Sequence, residues 1–504
     1  MKNTKQGHFC AFIAKGKFVC YDGKMSTENL YDKLIEYSKS EAYPFHMPGH
    51  KRQILSMEDP YDFDLTEIDG FDNLHDAEDI LLQEQDRAAR LYGAEESHFM
   101  VNGSTGGLLS AIAGVCHRGD RVLVARNCHT SVYHALELNG LRPVYVWPEL
   151  DETLGIYKGL RCNQVEALLE TYPDIQTVIF TSPTYEGLFS DVREICKAAH
   201  EKGIPCIVDE AHGSHLRWLG FDDAMACGAD VVIQSLHKTM PALTQTALLH
   251  IQGNLVSKER IRKMLSTYQT SSPSYVLMAS MSLCMSWLER DGQRAFEKYR
   301  QMALDYRKRL SGLKNLCLYE PEEDLLQKEN GQTVFDWGKF VIGTCRSSMN
   351  GRQLYDRLRD EFHLQMEMVC AEHVLAMTTV GDSENGLERL VKALEQMDAE
   401  QSCLNKQSFD MDLCPPKHQM EIHEAVECSM EYVPIAEAES RILGDYIYLY
   451  PPGIPLIVPG EVLGREQIEQ IQYFERQGLD VHGGYIKESK DVKVILHHGE
   501  KCIR

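Results

Sequence analysis

Residues 231–238 have the sequence Val-Val-Ile-Gln-Ser-Leu-His-Lys, an apolar run that ends at two basic side chains. An apolar run of this length bounded by polar residues predicts a buried strand. A second apolar run, 204–208, ends in Asp209. In open α/β sheets, ligands bind at the carboxyl ends of the strands. The two runs therefore predict that Asp209 and Lys238 lie together at a ligand-binding edge of a sheet.

A lysine and an acid in this arrangement suit covalently bound pyridoxal phosphate. The amine of Lys238 can form a Schiff base with the aldehyde of the cofactor. The carboxylate of Asp209 can keep the pyridine nitrogen protonated, so that the ring withdraws electrons. Each residue alone has an ordinary alternative, since most lysines lie at the surface and a strand-end Asp often caps a turn. The pair, one strand–helix–strand unit apart, favours the cofactor.

A glycine-rich turn upstream is a candidate phosphate site. Residues 102–107, Asn-Gly-Ser-Thr-Gly-Gly, precede an apolar helix over 108–115. Small residues at a helix start expose N–H groups to a phosphate, although they also serve as plain caps. The spacing is not that of a P-loop, because no Gly-Lys-Ser/Thr follows. With the lysine and acid downstream, we interpret Ser104 and Thr105 as phosphate ligands, and Ser235 and His237 as further candidates.

Two other histidines follow predicted strands. His129 comes after the strand 121–125, where its ring could stack on the pyridine face or lie at the surface at a helix start. His212 comes three residues after Asp209 and could face the cofactor or bond a loop carbonyl. Both alternatives stay open for each residue.

The stretch 45–51, Phe-His-Met-Pro-Gly-His-Lys, contains a His-x-x-x-His spacing that resembles a metal motif. Pro48 and Gly49 exclude a helical pair of ligands, and no third acidic ligand is adjacent. We therefore interpret the stretch as a loop that lines a site and predict no metal.

Strands alternate with helical patterns along most of the chain, which predicts an α/β fold with a mainly parallel sheet covered on both faces. The predicted strands are 121–125, 142–146, 177–181, 204–208, 231–235 and 247–251. A long polar helix over 287–313 leads into a second α/β region. We predict an N-terminal helical segment at 1–40, a cofactor-binding major domain at 41–300, a small domain at 301–400, a linker near 398–407 and a C-terminal domain at 408–490.

The composition, with 43% hydrophobic and 25% charged residues, is that of a globular enzyme. A formal net charge of −23 disfavours nucleic acid and anionic membranes as partners. The sixteen cysteines contain no Cys-x-x-Cys, so they predict neither a zinc ribbon nor a disulfide scaffold. The first twenty residues have no sustained apolar stretch and predict neither a signal peptide nor a membrane span. We expect a cytoplasmic protein.

Five motifs together resemble the bacterial Orn/Lys/Arg decarboxylases, a family of fold-type I pyridoxal-phosphate enzymes. They are FHMPGHK at 45–51, DEAHG at 209–213, SxHK at 235–238, TSSPSY at 270–275, and YPPGxP at 450–455 with PGE at 459–461. The last is the most specific, since aminotransferases of this fold lack it. The resemblance implies an aspartate-aminotransferase-like large domain, a small α+β domain and a C-terminal decarboxylase domain. It is closest to the short subgroup without an N-terminal wing domain, so decamers are not expected.

The resemblance also implies residue roles. Lys238 would carry the cofactor, Asp209 would pair with the pyridinium nitrogen, and His129 would stack on the ring. The phosphate would be held by Ser104, Thr105, Ser235 and His237. Ser271 would reach the phosphate of a neighbouring subunit, which implies a homodimer or dimer-based oligomer with shared active sites. Glu461 would lie near the distal end of the substrate.

The implied reaction is α-decarboxylation of a basic L-amino acid (arginine, lysine or ornithine) to an amine of polyamine metabolism, with Lys238 or His237 returning a proton to Cα. An aminotransferase or aldol-type lyase is the alternative within the fold, and a keto-acid product would identify it. A regulatory protein is disfavoured, because it would need a missing lysine or an added DNA-binding domain.

Overall fold

The computed structural model describes residues 30–151, 153–321, 335–344, 346–401 and 414–496, and within these a seven-stranded sheet forms the centre of the molecule. In spatial order its strands are Glu96–Met100, Ala247–Ile251, Val231–Ser235, Cys206–Asp209, Ile175–Thr181, Arg121–Ala125 and Arg142–Val146. Ala247–Ile251 is antiparallel to both neighbours, and the other six strands run in one direction. The expected α/β fold with a mainly parallel sheet is confirmed.

The strands of the sheet centre are apolar because helices cover both of their faces. All five residues of Val231–Ser235 are buried, as expected for a parallel strand without a solvent face. Helix Val192–His200 shows the complementary pattern, burying Val192, Ile195, Cys196 and Ala199 along one stripe.

The α-helices of the described residues are Leu30–Ser38, Ile80–Tyr92, Gly103–Val115, Thr130–Asn139, Cys162–Thr171, Val192–His200, Leu236–Thr239, Lys258–Tyr268, Tyr275–Trp287, Gln293–Leu310, Gly351–Asp360, Glu384–Glu400, Ile422–Ala425 and Arg465–Arg476. The predicted helix over 287–313 corresponds to Gln293–Leu310, and a π-helical turn, Leu288–Gly292, joins it to the preceding helix Tyr275–Trp287. None of the helices in the described part of the chain is both long and apolar enough to cross a membrane.

A smaller antiparallel sheet follows the long helix Gln293–Leu310. Its strands, in spatial order, are Cys317–Leu318, Lys339–Gly343, His373–Met377 and Met368–Val369. A separate parallel pair joins Tyr43–Phe45 to Leu364–Met366. This pairing holds the 45–51 loop between the two larger sheets.

The C-terminal part has its own apolar core. One of its sheets contains Met430–Pro434, Asp491–Ile495 and Tyr485–Ile486, and the other contains Ile454–Ile457, Ile447–Leu449 and Val481–Gly483. It contacts the central sheet through Arg126, whose guanidinium donates to the carbonyls of Pro455 (2.6 Å) and Leu456 (3.1 Å). Residues 1–29 of the predicted N-terminal segment, 402–407 of the predicted linker, and 408–413 lie outside the described residues.

Candidate active site

Asp209 and Lys238 line one cavity of about 280 Å³ at the carboxyl edge of the central sheet. Asp209 ends the strand Cys206–Asp209, and Lys238 lies in the short helix that directly follows the neighbouring strand Val231–Ser235. Five more of the predicted site residues line the same cavity: Ser104, Thr105, His129, His212 and His237. Parallel strands bring these residues together because their carboxyl ends share one edge.

The amine of Lys238 lies 3.1 Å from Nε2 of His212 and 5.9 Å from the centre of the Tyr185 ring. Burial lowers the pKa of Lys238, while the carboxylates of Asp209 and Glu367 oppose that shift. A lowered pKa increases the fraction of neutral amine, which is the nucleophilic form.

Asp209 is buried, and its Oδ1 accepts a hydrogen bond from the backbone N–H of Ala211 (3.1 Å). Burial raises the pKa of this carboxyl, and the charge of Lys238 lowers it. A buried carboxylate is stabilised by a cation placed beside it. Asp209 therefore has the environment needed to pair with a protonated ring nitrogen.

The start of helix Gly103–Val115 fits a phosphate. Ser104 and Thr105 occupy its first turn and line the cavity, and the preceding Asn102 makes no side-chain cap. Helix N-termini attract anions through their free N–H groups. Ser235 is not among the residues that line the cavity, but its hydroxyl is fully buried without a hydrogen-bond partner among the described residues. A buried unsatisfied hydroxyl is costly, and a phosphate oxygen would satisfy it.

His237 is held as a neutral ring with one defined tautomer. Its Nδ1 bonds the carbonyl of Thr246 (2.9 Å), and because a carbonyl only accepts, Nδ1 carries the proton. Burial lowers the pKa of His237 to about 4. Nε2 is therefore a free acceptor. This form suits proton transfer, whereas holding a phosphate would require a protonated ring.

His129 has the opposite tautomer. Its Nδ1 accepts from the backbone N–H of Ser131 (3.2 Å), which leaves the proton on Nε2, and burial lowers its pKa to about 4. The C-terminal part contacts the next residue in the chain: Thr130 N–H donates to the carbonyl of Gly453 (2.9 Å). His129 is thus fixed from both sides at the wall of the cavity.

The structure does not place Glu461 at this cavity. Both Glu461 and Arg126 are almost fully buried and form an ion pair of 3.1 Å, and the same carboxylate oxygen accepts from Val458 N–H (2.9 Å). A carboxylate already neutralised by a guanidinium is not available to a substrate cation. The expected contact between Glu461 and the distal end of the substrate is therefore not retained, and the residue instead joins the C-terminal part to the central sheet.

Ser271 and the two loop histidines also lie outside the lining of the cavity. Ser271 is exposed in the turn after helix Lys258–Tyr268. His46 bonds the hydroxyl of Tyr37 (2.9 Å), and His50 accepts from Arg52 N–H (2.9 Å). The 45–51 loop does reach the cavity through Met47.

Three residues that sequence reasoning missed line the cavity: Tyr185, Glu186 and Glu367. The Tyr185 hydroxyl donates to Glu367, whose other oxygen accepts from Met47 N–H (2.8 Å). Tyr185 and Glu186 follow the strand Ile175–Thr181, so the strand-end rule applied to Asp209 could have found them. Glu367 carries no such signal, since its position depends on how the small sheet packs.

The sheet order and the lysine–acid cavity place the chain in the fold class of the type I pyridoxal-phosphate enzymes. Models of the "Orn/Lys/Arg decarboxylase, major domain" and the "Orn/Lys/Arg decarboxylase, C-terminal domain" match residues 28–337 and 403–486. The chain therefore belongs to the Orn/Lys/Arg decarboxylase family, which makes it a carboxy-lyase.

Among characterised proteins, the chain is similar to an arginine decarboxylase of Bacillus subtilis, with 32% identity over 90% of this chain and 95% of the relative. An arginine decarboxylase of Bacillus anthracis shares 31% identity over 93% of this chain and 97% of the relative. The solved lysine decarboxylase of Francisella novicida superimposes with a TM-score of 0.74 at 19% identity, over 92% of this chain and 80% of that one.

We predict that Gly453→Ala lowers activity by displacing His129. Gly453 has φ +79°, and an added Cβ would lie 3.1 Å from Nε2 of His129. Left-handed backbone costs a non-glycine residue about 1–2 kcal/mol, so the variant should also be less stable. Gly203→Ala is the matched control, because Gly203 has φ +71° with open space around it. Steady-state kinetics and thermal melts of both variants should show similar destabilisation but a fall in kcat/KM only for Gly453→Ala. Equal kinetics would contradict the prediction.

Proposed function

We propose that the protein catalyses the pyridoxal-phosphate-dependent α-decarboxylation of a basic L-amino acid, with L-arginine as the preferred substrate. The observation that carries the proposal is the Lys238 amine and the buried Asp209 carboxylate in one cavity, together with the further acids Glu186 and Glu367. The choice of arginine over lysine and ornithine is supported by the similarity to two Bacillus proteins named arginine decarboxylase.

The residues present fit the cofactor. Lys238 would bind it, Asp209 would pair with its ring nitrogen, and His129 would cover its face. Its phosphate would be held by Ser104, Thr105 and Ser235. When bound, pyridoxal phosphate supplies an electron sink for the electrons of the bond between Cα and the carboxylate.

The acids of the cavity would bind the cationic side chain of the substrate. Glu367 is held by Tyr185 and Met47, which fixes its direction. Burial raises the pKa of Glu186, and Lys339 lowers it. A guanidinium or ammonium beside these carboxylates would offset the cost of burying them.

Once CO2 has left, Cα must receive a proton. The amine of Lys238 can deliver one, and the ring of His237, whose Nε2 carries no proton at neutral pH, can do so only after Nε2 has taken up a proton. Tyr450, Pro451 and Pro452 form part of the wall of the cavity. Exclusion of water from the cavity when substrate is bound would favour return of the proton from a protein group.

We also propose a cytoplasmic homodimer in which Ser271 reaches the phosphate in the partner subunit. What supports this is the exposure of Ser271 and its position outside the cavity of its own subunit.

The proposed reaction is tested by CO2 release from arginine, lysine and ornithine with added pyridoxal phosphate. We expect arginine to yield one CO2 for each molecule of amine formed, and no keto acid. A greater kcat/KM with lysine or ornithine would show that arginine is not the preferred substrate. A keto-acid product in place of CO2 would contradict the proposed decarboxylation.

We predict that Glu186→Gln and Glu367→Gln each raise KM for arginine. The variant that removes the acid in contact with the substrate cation should lose about 100-fold in kcat/KM. Removing one partner of a buried charge pair costs about 2–5 kcal/mol. Norleucine, which lacks the distal charge, serves as the control substrate. In the variant that has lost the binding acid, the ratio of kcat/KM for arginine to kcat/KM for norleucine should fall. If neither variant changes discrimination between arginine and norleucine, the assignment is wrong.

A further inference from the structure

Three potential metal ligands meet at the edge of the central sheet that lies opposite the cavity of the candidate active site. His200, Cys206 and Asp230 each offer one ligand atom, and these three atoms lie within 4.8 Å of one another. Cys206 and Asp230 lie at the amino ends of two neighbouring parallel strands, whose carboxyl ends lead to Asp209 and Lys238. The cluster is therefore separated from the cavity by the length of a strand.

The thiol of Cys196 can supply a fourth ligand. Cys196 and His200 lie four residues apart on helix Val192–His200, a separation that places two side chains on one face of a helix. A hydrogen bond with Cys196, followed by burial, raises the pKa of Cys206 well above its usual range. The two thiols are thus in contact. Together with His200 and Asp230 they form a set of two sulfurs, one nitrogen and one oxygen.

Hydrogen bonds hold the carboxylate of Asp230 between the helix and the sheet. Its Oδ2 accepts from Nε2 of His200 (2.8 Å) and from the backbone N–H of Cys206 (2.8 Å). An ordinary pairing of His200 with Asp230 would account for the first of these bonds. A buried cysteine is commonly only a small apolar residue, whereas the sulfur of Cys206 lies against a carboxylate and an imidazole. Three different metal-binding groups at one point indicate a ligand set.

The donor atoms suit Zn²⁺. Zinc sites in proteins are tetrahedral, with bonds of about 2.3 Å to thiolate sulfur and about 2.0–2.2 Å to nitrogen and oxygen. Such bonds place the ligand atoms about 3.2–3.8 Å from one another. Because the three atoms already lie within 4.8 Å, small side-chain rotations would complete the site. The side chain of Asp230 is 4% exposed and that of His200 is 34% exposed, so the ion can enter past His200.

We propose that His200, Cys206 and Asp230, with Cys196 as the fourth ligand, form a Zn²⁺ site that fastens helix Val192–His200 to the central sheet. His200 binds the ion through Nε2 and carries its proton on Nδ1, and the two thiols release their protons to solvent. No electron is transferred. None of the four is among the described residues that line the cavity, so the inference does not depend on the proposed function.

Local spacing did not reveal this site, and no metal was predicted from the sequence. Cys196, His200 and Cys206 have the spacing Cys-x3-His-x5-Cys, which resembles no zinc ribbon. Asp230 lies 24 residues beyond Cys206. Only the pairing of the two strands brings its carboxylate beside the other three groups.

The first test measures the affinity for Zn²⁺ by competition with a chromogenic chelator. The protein is first incubated with pyridoxal phosphate and freed of unbound cofactor, so that the cavity is occupied, and a phosphine reductant keeps the thiols reduced. We expect each chain to bind one zinc ion with a Kd of about 10⁻⁷ M or tighter. Wild-type protein that binds no zinc under these conditions would overturn the inference.

Variants locate the ion. Cys206→Ser and His200→Gln should each weaken zinc binding by more than about 100-fold, because the loss of a group behind a ligand already costs about 10–100-fold. Cys116→Ser is the matched control, since Cys116 is also a buried free cysteine but is not one of the proposed ligands. Wild-type affinity in Cys206→Ser would overturn the inference. Wild-type affinity in Cys196→Ser would overturn the assignment of the fourth ligand.

The second test needs no variant. X-ray absorption spectroscopy of the zinc-loaded wild-type protein reports the ligand atoms directly, and we expect two sulfurs at about 2.3 Å and two nitrogen or oxygen atoms at about 2.0–2.2 Å. A shell without sulfur, as histidines and acids elsewhere in the chain would give, would overturn the inference.

The proposed fastening of helix to sheet is tested by thermal melts. At a free Zn²⁺ concentration of about 100 times Kd, the melting temperature of the wild type should rise by about 2 °C. The same addition should leave the melting temperature of Cys206→Ser unchanged. Zinc that binds the wild type without raising its melting temperature would overturn the structural role of the ion.

Discussion

Replacing Lys238 with alanine is expected to lower kcat for decarboxylation by about 10⁴-fold or more, because the variant loses both the covalent anchor of the cofactor and a proton carrier. The amine lies in the cavity within hydrogen-bonding distance of His212, and no other lysine lines that cavity among the described residues. A neighbouring side chain is therefore not expected to take its place. The absorbance that pyridoxal phosphate acquires on binding to a lysine should disappear as well.

The measurement is CO2 release under saturating cofactor, together with the absorbance spectrum of the purified protein. Lys202→Ala, at an exposed position after helix Val192–His200, is the control for the loss of a lysine. Full activity of Lys238→Ala would refute the proposed function. A folded variant, checked by circular dichroism, is required for either conclusion.

Asp209→Asn is expected to reduce kcat by about 10³-fold, since it removes one preorganised charge from a buried site. Asparagine has the same shape, and its Oδ1 can still accept from Ala211 N–H, so the local backbone should be preserved. What is lost is the negative charge that stabilises a protonated ring nitrogen. The effect should therefore appear in kcat and in the spectrum of the bound cofactor more than in the folded structure.

Asp398→Asn is the matched control for this variant. Asp398 is also buried and accepts backbone N–H bonds, from Lys314, Asn315 and Leu316, but it does not line the cavity. Its replacement should lower the melting temperature and leave kcat of the folded protein unchanged. If Asp209→Asn retained kcat within about threefold of the wild type, the pairing of Asp209 with the cofactor would be disproved.

The sequence predicted the central sheet well where strands are buried on both faces. The bounds of Arg121–Ala125, Val231–Ser235 and Ala247–Ile251 are those expected, because an apolar run ends where burial ends. The bounds of Arg142–Val146 are also those expected, although this strand is partly exposed at the edge of the sheet opposite Glu96–Met100. The strand Glu96–Met100 was missed. It lies at one edge of the sheet, with intermediate Glu96 and His98 interrupting its buried positions, so it lacks the continuous apolar run.

The site residues also fall into those that local sequence could place and those that it could not. Asp209, His129 and Lys238 each follow a strand of one sheet, so local sequence and the direction of the strands were enough to bring them together. Glu461 was misplaced because a motif shows that an acid is present but not which partner it meets. Only the packing of the C-terminal part shows that this partner is Arg126.

The sequence by itself determined the fold class, the lysine and acid of the cavity and the helix start suited to a phosphate, because these depend on strand ends and local residue types. The tertiary structure alone decided the contacts made across sheets: Glu367 at the cavity wall, Gly453 against His129, and Lys339 behind His212. Such contacts join residues far apart in the chain. They arise from how separate sheets pack, which no local period or spacing encodes.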